Sequence, residues 1–160
     1  MHFDLGYTSP INPAGAEPKL SVSQVWKGLV QKCRAPQAFV PAISECEILS
    51  EDDNGLKRMV TFQAGFGPPA GKVEEHITFQ HELRADFLMV GKGSQISNII
   101  TPGSGESDLY LTYTFSFNEP TIEPGTPEAE AKLKQYTEQA KGVVPRSVDE
   151  IRDMVKQGKI

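Results

Sequence analysis

The sequence has few of the residues from which metal centres and disulfide scaffolds are built. Its 160 residues include two cysteines and three histidines. They fit no metal-ligand spacing, and two cysteines are too few for a disulfide framework. We therefore expect no metal site. We also expect Cys33 and Cys46 to be buried thiols in a reducing compartment, which makes the cytoplasm the expected location.

Basic charge is also scarce. The formal net charge is −5, and the first 127 residues carry 9 basic groups against 15 acidic ones. A nucleic-acid-binding protein needs a basic stripe to meet the phosphates, and none is visible. We therefore expect no nucleic-acid partner.

Long apolar runs and common catalytic motifs are missing as well. No segment approaches the roughly 20 apolar residues of a membrane-spanning helix, and the N-terminus lacks the pattern of a secretory signal. There is no Gly-x-Ser-x-Gly motif, and the glycine pairs at 65–67 and 91–93 are too short for a phosphate loop. We expect no membrane span, no signal peptide and no cofactor.

What the sequence does contain is a clear order of elements. Alternation of Phe3, Leu5 and Tyr7 with polar residues predicts a first strand, and a Ser21–Gln24 capping box starts a helix that continues to Cys33. After room for one short turn near Phe39, alternation predicts six more strands joined by short turns, typical of an antiparallel meander. These strands are Ser44–Glu51, Lys57–Phe66, Lys72–Gln80, Leu83–Val90, Ser94–Thr101 and Ser107–Asn118.

A long helix is predicted at the C-terminal end. Thr126 provides an N-cap, Pro127 occupies the first position, and apolar residues recur at helical spacing up to Gln157. Pro145 interrupts this helix, and a second capping box follows at 147–150, which predicts either a kink or two helices end to end. A run of strands followed by a helix is typical of a single α+β domain, here residues 1–160, with the helix covering one face of the sheet.

Several segments resemble the fungal AtaL-like family of the START, polyketide-cyclase and birch-pollen-allergen superfamily. The matching segments are Thr8–Asn12, Gln24–Leu29, Phe39–Ile43, Glu47–Gly55, Ser97-Asn98 and Leu109–Phe115. The resemblance implies a helix-grip fold, in which a curved seven-stranded antiparallel sheet wraps around the C-terminal helix. It also implies a link to fungal natural-product pathways. It transfers no catalytic residue.

The polar residues on the inward face of this sheet are the candidates for chemistry. Alternation places Glu75 among Val73, Ile77 and Phe79, where burial would raise its pKa and suit it to acid–base work. Arg58 lies on the inward face of the preceding strand, and we favour an Arg58–Glu75 ion pair over a catalytic role for either residue. Asn98 could orient a ligand or satisfy a β-bulge.

Tyr113 and Tyr136 carry hydroxyl groups on otherwise apolar faces, and Tyr113 is the second catalytic candidate. Either tyrosine could contact a ligand or simply pack in the core. The predicted cavity wall comprises Phe62, Ile77, Phe87, Leu111, Tyr113, Phe115 and Tyr136, with Arg58, Glu75 and Asn98 as its polar contacts.

Three functions remain open at this point. The first is binding of a hydrophobic polyketide- or peptide-derived molecule between the sheet and the C-terminal helix, a mostly apolar pocket with few polar groups. The second is a cofactor-free cyclase, isomerase or dehydratase in the same cavity, with Glu75 or a tyrosine moving a proton. The third is an interaction module with a filled core, such as a homodimer through a strand edge.

Overall fold

The order of secondary-structure elements agrees with the order predicted from the sequence. The computed structural model describes residues 1–64, 71–105 and 107–160. Its elements are β1 (His2–Pro10), α1 (Val22–Arg34), a 3₁₀ turn (Pro36–Ala38), β2 (Ile43–Asp52), β3 (Gly55–Phe62), β4 (Lys72–Gln80), β5 (Arg84–Met89), β6 (Ser94–Pro102), β7 (Leu109–Asn118) and α2 (Pro127–Lys156).

The seven strands form one curved antiparallel sheet in the order β1-β7-β6-β5-β4-β3-β2. Strands β2 to β7 pair with their neighbours in the sequence, and β1 pairs with β7 from His2↔Asn118 to Pro10↔Tyr110. The long helix α2 packs against β1, β7 and α1. The predicted fold class is therefore confirmed.

The β2–β3 hairpin turns at Asn54-Gly55. The backbone N–H of Asn54 donates to the Asp52 carboxylate at 2.7 Å. Asp52 and Gly55 are the last pair of residues in the β2–β3 ladder. Gly55 has a φ of 152°, and a Cβ added there would lie 1.9 Å from the carbonyl oxygen of Ile77. Only glycine lets β4 pass this close to the turn.

Helix α1 begins with the predicted capping box. The backbone N–H of Gln24 donates to the Ser21 hydroxyl at 3.2 Å, and the backbone N–H of Ser21 donates to Gln24 Oε1 at 2.9 Å. Gly28, one turn further on, faces α2, where a Cβ would approach Ile151 to 2.4 Å. The missing side chain sets how closely the two helices pack.

Helix α2 is one element with Pro145 inside it, so the alternative of two helices end to end is wrong. Its 30 residues correspond to a length of roughly 45 Å. The Thr126 hydroxyl accepts from the Ala129 amide at 3.2 Å, as a helix N-cap does. Proline has no backbone N–H, so the helix lacks one hydrogen-bond donor at Pro145. The helix continues nevertheless, because residues on both sides of Pro145 pack against the rest of the protein.

Element boundaries differ from the predictions by a few residues. Strand β3 ends at Phe62, four residues before the predicted end, and the last two residues of the predicted strand, 65 and 66, lie outside the described part of the chain. Both cysteines are free, and Cys33 is buried as predicted. The prediction for Cys46 is only partly correct, because its side chain is half-buried.

The apolar interior divides into three clusters. The main cluster joins α1, the C-terminal half of α2 and the middle of the sheet, and it includes Trp26, Leu29, Ile77, Phe87, Leu111, Tyr113, Val144 and Ile151. The second cluster, built on Phe3, Ile122 and Ala129, lies where α2 begins. The third cluster, Ile43, Val60 and Val73, lies at the β2–β3–β4 end of the sheet.

Candidate functional site

The inward face of the sheet brings the predicted polar residues into two cross-strand pairs. Arg58 of β3 lies opposite Glu75 of β4, and Asn98 of β6 lies opposite Tyr113 of β7. All four residues are at most 3% exposed. Alternation along each strand was sufficient to predict this orientation.

Arg58 and Glu75 form a buried ion pair. Glu75 Oε2 lies 2.6 Å from Arg58 Nη2 and 2.7 Å from Arg58 Nε. Arg58 Nη1 donates to the backbone carbonyls of Cys33 at 2.7 Å and Lys32 at 3.1 Å, in the last turn of α1. The predicted pair is confirmed. It also satisfies two helix-end carbonyls that would otherwise be buried without donors.

A third buried charge, Lys32, reaches into the same region from α1. Its Nζ donates to Asn98 Oδ1 at 2.6 Å and lies over the rings of Tyr113 and Phe87, 4.3 and 5.1 Å from their centroids. Burial lowers the pKa of Lys32 to about 8. The Arg58 guanidinium acts in the same direction and the Glu75 carboxylate opposes it.

Sequence reasoning missed Lys32. The helical face was defined by its apolar members, and a lysine at the end of a helix is normally solvent-exposed. Its position nevertheless carried a signal, because Lys32 lies three residues after Leu29 and seven after Val25, both fully buried on that face.

The buried ionisable side chains do not balance. Lys32 and Arg58 carry two positive charges when protonated, and Glu75 is the carboxylate that acts on Lys32 in the described residues. Its Oε2 is already bonded twice by Arg58. This region therefore holds one positive charge that no carboxylate of the described residues pairs with directly, and the Asn98 oxygen and two ring faces offset only part of its desolvation cost. The other buried cation of the described residues, Arg152, bonds the carbonyls of Pro18 and Ile11.

Two polar atoms beside Lys32 have no hydrogen-bond partner among the described residues, namely Asn98 Nδ2 and the Tyr113 hydroxyl. Lys32 fixes the Asn98 amide by taking its oxygen, which leaves the NH₂ group free. Burial raises the pKa of Tyr113 above its usual value, so the phenol is protonated and can donate. The Ser147 hydroxyl donates to the Val143 carbonyl at 2.8 Å, and it lies close enough to Tyr113 to oppose part of the rise in the pKa of the phenol.

A row of aromatic rings leads away from this polar group. Centroid distances are 6.2 Å from Tyr113 to Phe115, 5.5 Å from Phe115 to Phe117 and 4.3 Å from Phe117 to Tyr136. Tyr113 is buried, whereas the other three side chains are half-buried. The row, hereafter the aromatic row, thus connects the buried polar group with the surface along the inward face.

The remaining predicted wall residues are distributed over the three clusters. Ile77, Phe87 and Leu111 are fully buried in the main cluster. Phe62 packs half-buried against the third cluster, and Tyr136 packs against the second. The Tyr136 hydroxyl donates to the Glu119 carboxylate, so the structure does not bring it to the polar group around Tyr113.

The outer surface of the sheet carries fewer candidate functional features than the inward face. An open depression of about 260 Å³ lies on the β1–β7–β6 side. It is lined by Asp4, Leu5, Gln95, Ser97, Thr114, Phe115 and Ser116.

Within 1–64, 71–105 and 107–160, no three His, Cys, Asp or Glu side chains could share a metal ion. Over the same residues, no helix has the length and apolar character needed to cross a membrane.

Known sequences resemble this chain over nearly its whole length. The model of the AtaL family, described as acetylaranotin biosynthesis cluster protein L, matches residues 5–158. The acetylaranotin biosynthesis cluster protein L of Aspergillus terreus (strain NIH 2624 / FGSC A1156) is 27% identical over 158 residues, which are 98% of this chain and 92% of that protein.

Solved structures share the fold at low sequence identity. The di-domain ARO/CYC StfQ from the steffimycin biosynthetic pathway superimposes with a TM-score of 0.70 at 10% identity, over 99% of this chain and 53% of that one. Ara h 8.0201 superimposes with a TM-score of 0.60 at 14% identity, over 94% and 98% of the two chains. At these identities the likeness concerns the fold alone.

Proposed function

We propose that this chain, which belongs to the AtaL family, binds a hydrophobic small molecule between the curved sheet and α2. The observation that carries the proposal is the aromatic row. Its rings run from the half-buried Tyr136 at the surface to the buried Tyr113, and they form a continuous apolar lining that ends at polar groups. A mostly apolar site with a few convergent polar groups is the usual form of a small-molecule site.

The incomplete burial of other inward side chains supports the same location. Phe62, Met89, Ile96 and Phe115 all point to the inner face of the sheet, yet each is half-buried. In a filled core these side chains would be inaccessible to solvent. A ligand that covered them would gain roughly 25 cal/mol for each Å² of apolar surface removed from water.

The relatives favour a metabolite as the ligand. The Aspergillus relative is named for an acetylaranotin biosynthesis cluster, and StfQ comes from a biosynthetic pathway. We therefore propose a polyketide- or peptide-derived intermediate of fungal secondary metabolism as the ligand class. The free thiols Cys33 and Cys46 fit the expected cytoplasmic location.

Binding is tested with N-phenyl-1-naphthylamine, a neutral apolar dye whose emission rises in an apolar site. We expect saturable binding by the wild-type protein and about tenfold weaker binding by Phe115→Ala, equivalent to about 1.4 kcal/mol. Leu88→Ala is the matched control, because Leu88 lies on the outer face and is 43% exposed. Absence of saturable binding, or equal losses in the two variants, would contradict the proposal.

A second candidate is a cofactor-free cyclase, isomerase or dehydratase acting in the same space. The unpartnered, protonated Tyr113 hydroxyl favours it, since such a group can donate to a developing oxyanion. Glu75 is the weaker catalytic candidate because Arg58 occupies its Oε2. Unchanged turnover in Glu75→Gln with lost turnover in Tyr113→Phe would assign the chemistry to the tyrosine.

The third function, a homodimer through a strand edge, has less support. Strands β1 and β2 are the two edges of the sheet, and β2 is largely exposed. Its side chains include Glu45, Glu47, Glu51 and Asp52. Two copies paired along this edge would bring like charges together, which is how natural sheets avoid such pairing.

A further inference from the structure

The inner end of the aromatic row has an unusual set of groups. Lys32 Nζ, Asn98 Nδ2 and the Tyr113 hydroxyl are all donors, and together they are called the polar end below. Asn98 and Tyr113 are directly opposite in the sheet, and Lys32 contacts both, bonding the amide at 2.6 Å and lying 4.3 Å from the ring centroid. Three buried residues that carry donors are therefore neighbours in the interior.

The excess positive charge and the unpaired donors at the polar end both indicate that an anionic acceptor is missing. At the polar end and the adjoining ion pair, Lys32 and Arg58 face one carboxylate of the described residues, that of Glu75. Asn98 Nδ2 and the Tyr113 hydroxyl have no hydrogen-bond partner among the described residues. A negatively charged oxygen atom would balance the charge and supply an acceptor at the polar end. Charged acceptors form the strongest hydrogen bonds in such a site.

We infer that the polar end binds the ionised hydroxyl of a phenol, carried by a ligand whose rings lie along the aromatic row. This inference rests on the proposed function and names its ligand class. An aromatic ring can pack edge-to-face or offset-stacked against the half-buried Phe115 and Phe117. Its phenolate oxygen presents a single acceptor atom to the polar end.

A carboxylate fits the polar end less well. Two carboxylate oxygens are best matched by the planar fork of an arginine. The one arginine of this cluster, Arg58, is already bonded to Glu75 and to two carbonyls of α1. The donors that remain belong to Lys32, Asn98 and Tyr113. None of them is the planar fork of an arginine, and they suit a single acceptor oxygen atom.

The test uses 4-nitrophenol, whose phenol and phenolate forms absorb differently, in a mildly acidic buffer where the free probe is mostly the phenol. We expect the bound probe to show the phenolate band. We also expect 4-nitrophenol to bind at least tenfold more tightly than 4-nitroanisole, its uncharged ether, and than 4-nitrobenzoate.

Variants assign the effect to the polar end. Lys32→Met should abolish the phenolate band and the preference over the ether. Tyr113→Phe should reduce that preference several-fold and leave binding of the ether unchanged. Lys27→Met, an exposed position on the same helix, is the control and should behave as the wild type. Retained binding of N-phenyl-1-naphthylamine shows that each variant is folded.

The outcomes separate the inference from the proposed function. If the neutral dye binds saturably but 4-nitrophenol binds as the phenol, binds no better than its ether, or is unaffected by Lys32→Met, the inference fails alone. Tighter binding of 4-nitrobenzoate would also overturn it. If the neutral dye does not bind, the proposed function fails, and the inference fails with it.

Discussion

Burial of the Lys32 ammonium predicts that this protein becomes more stable as the pH rises from 8 to 9. The pKa of Lys32 is lowered from 10.5 to about 8 in the folded chain. Below pH 8 the lysine is protonated in both states, and its burial lowers the free energy of unfolding by about 3 kcal/mol. Between pH 8 and 10.5 the unfolded chain binds more protons than the folded chain, so stability rises with pH.

The size of the rise follows from the two pKa values. From pH 8 to pH 9 the folded lysine loses most of its proton and the unfolded lysine keeps it, which contributes about 1 kcal/mol. Above pH 9 the gain is masked by Cys33, whose pKa burial raises from 9.0 to about 11. The unfolded thiol then ionises first, so this group lowers stability between pH 9 and 11. The interval from pH 8 to 9 is therefore the informative one.

Other ionisable groups around Lys32 also affect its pKa. After burial, the largest effect on the pKa of Lys32 comes from Cys33 of α1, which raises it. Arg58 of β3 lowers the pKa, and Glu75 of β4 raises it. The pKa of Tyr113, which faces Lys32 from β7, is raised above its usual value by burial, so this phenol stays protonated in the interval.

Urea unfolding of the wild type and of Lys32→Met measures the effect. We expect the wild type to gain about 1 kcal/mol between pH 8 and 9 relative to the variant, since methionine replaces the lysine with an apolar chain of similar length. Lys27→Met, on the exposed side of α1, should follow the wild-type profile. Parallel profiles of wild type and Lys32→Met would refute the argument, because they would mean that the buried lysine does not titrate in this interval.

Two further substitutions, each with a matched control, test the buried ion pair and the helix packing. Glu75→Gln should destabilise the fold by about 3–5 kcal/mol, because it leaves Arg58 buried without its carboxylate. Glu51→Gln, which breaks the exposed Arg34–Glu51 pair, should cost less than about 1 kcal/mol in the same thermal or urea unfolding assay. Gly28→Ala should cost about 1–3 kcal/mol through its contact with Ile151. Gly142→Ala, where no atom lies within 4 Å, should add about 0.5–1 kcal/mol, and a stabilising Gly28→Ala would contradict the proposed helix packing.

Local patterns were sufficient to predict most of the fold. The period-two alternation of β7 and the pairing of Arg58 with Glu75 depend on which face a strand residue occupies, and that is a property of the strand alone. The same reasoning failed to choose between a kink and a break at Pro145. That outcome depends on the packing of Val144, Val148 and Ile151 against the rest of the protein, which local sequence does not determine.

The polar end was only half predictable. Asn98 and Tyr113 were identified because polar atoms on an apolar strand face are conspicuous. Lys32 was missed because its burial depends on two ring faces and an amide that are contributed by strands far along the chain. Tyr136 was correctly placed on an apolar helix face, but periodicity could not show that its hydroxyl meets Glu119 and not Tyr113.

The bonds from Arg58 to the carbonyls of Lys32 and Cys33 have a consequence for the order of folding. A helix normally closes its last turn with residues close in sequence, but here a donor comes from β3, 25 and 26 positions later. The last turn of α1 therefore gains its stabilising bonds only once the β3–β4 ladder has formed. Substitutions at Lys32 should then change the unfolding rate far more than the folding rate. The lysine is positioned by the finished sheet and not by the helix to which it belongs.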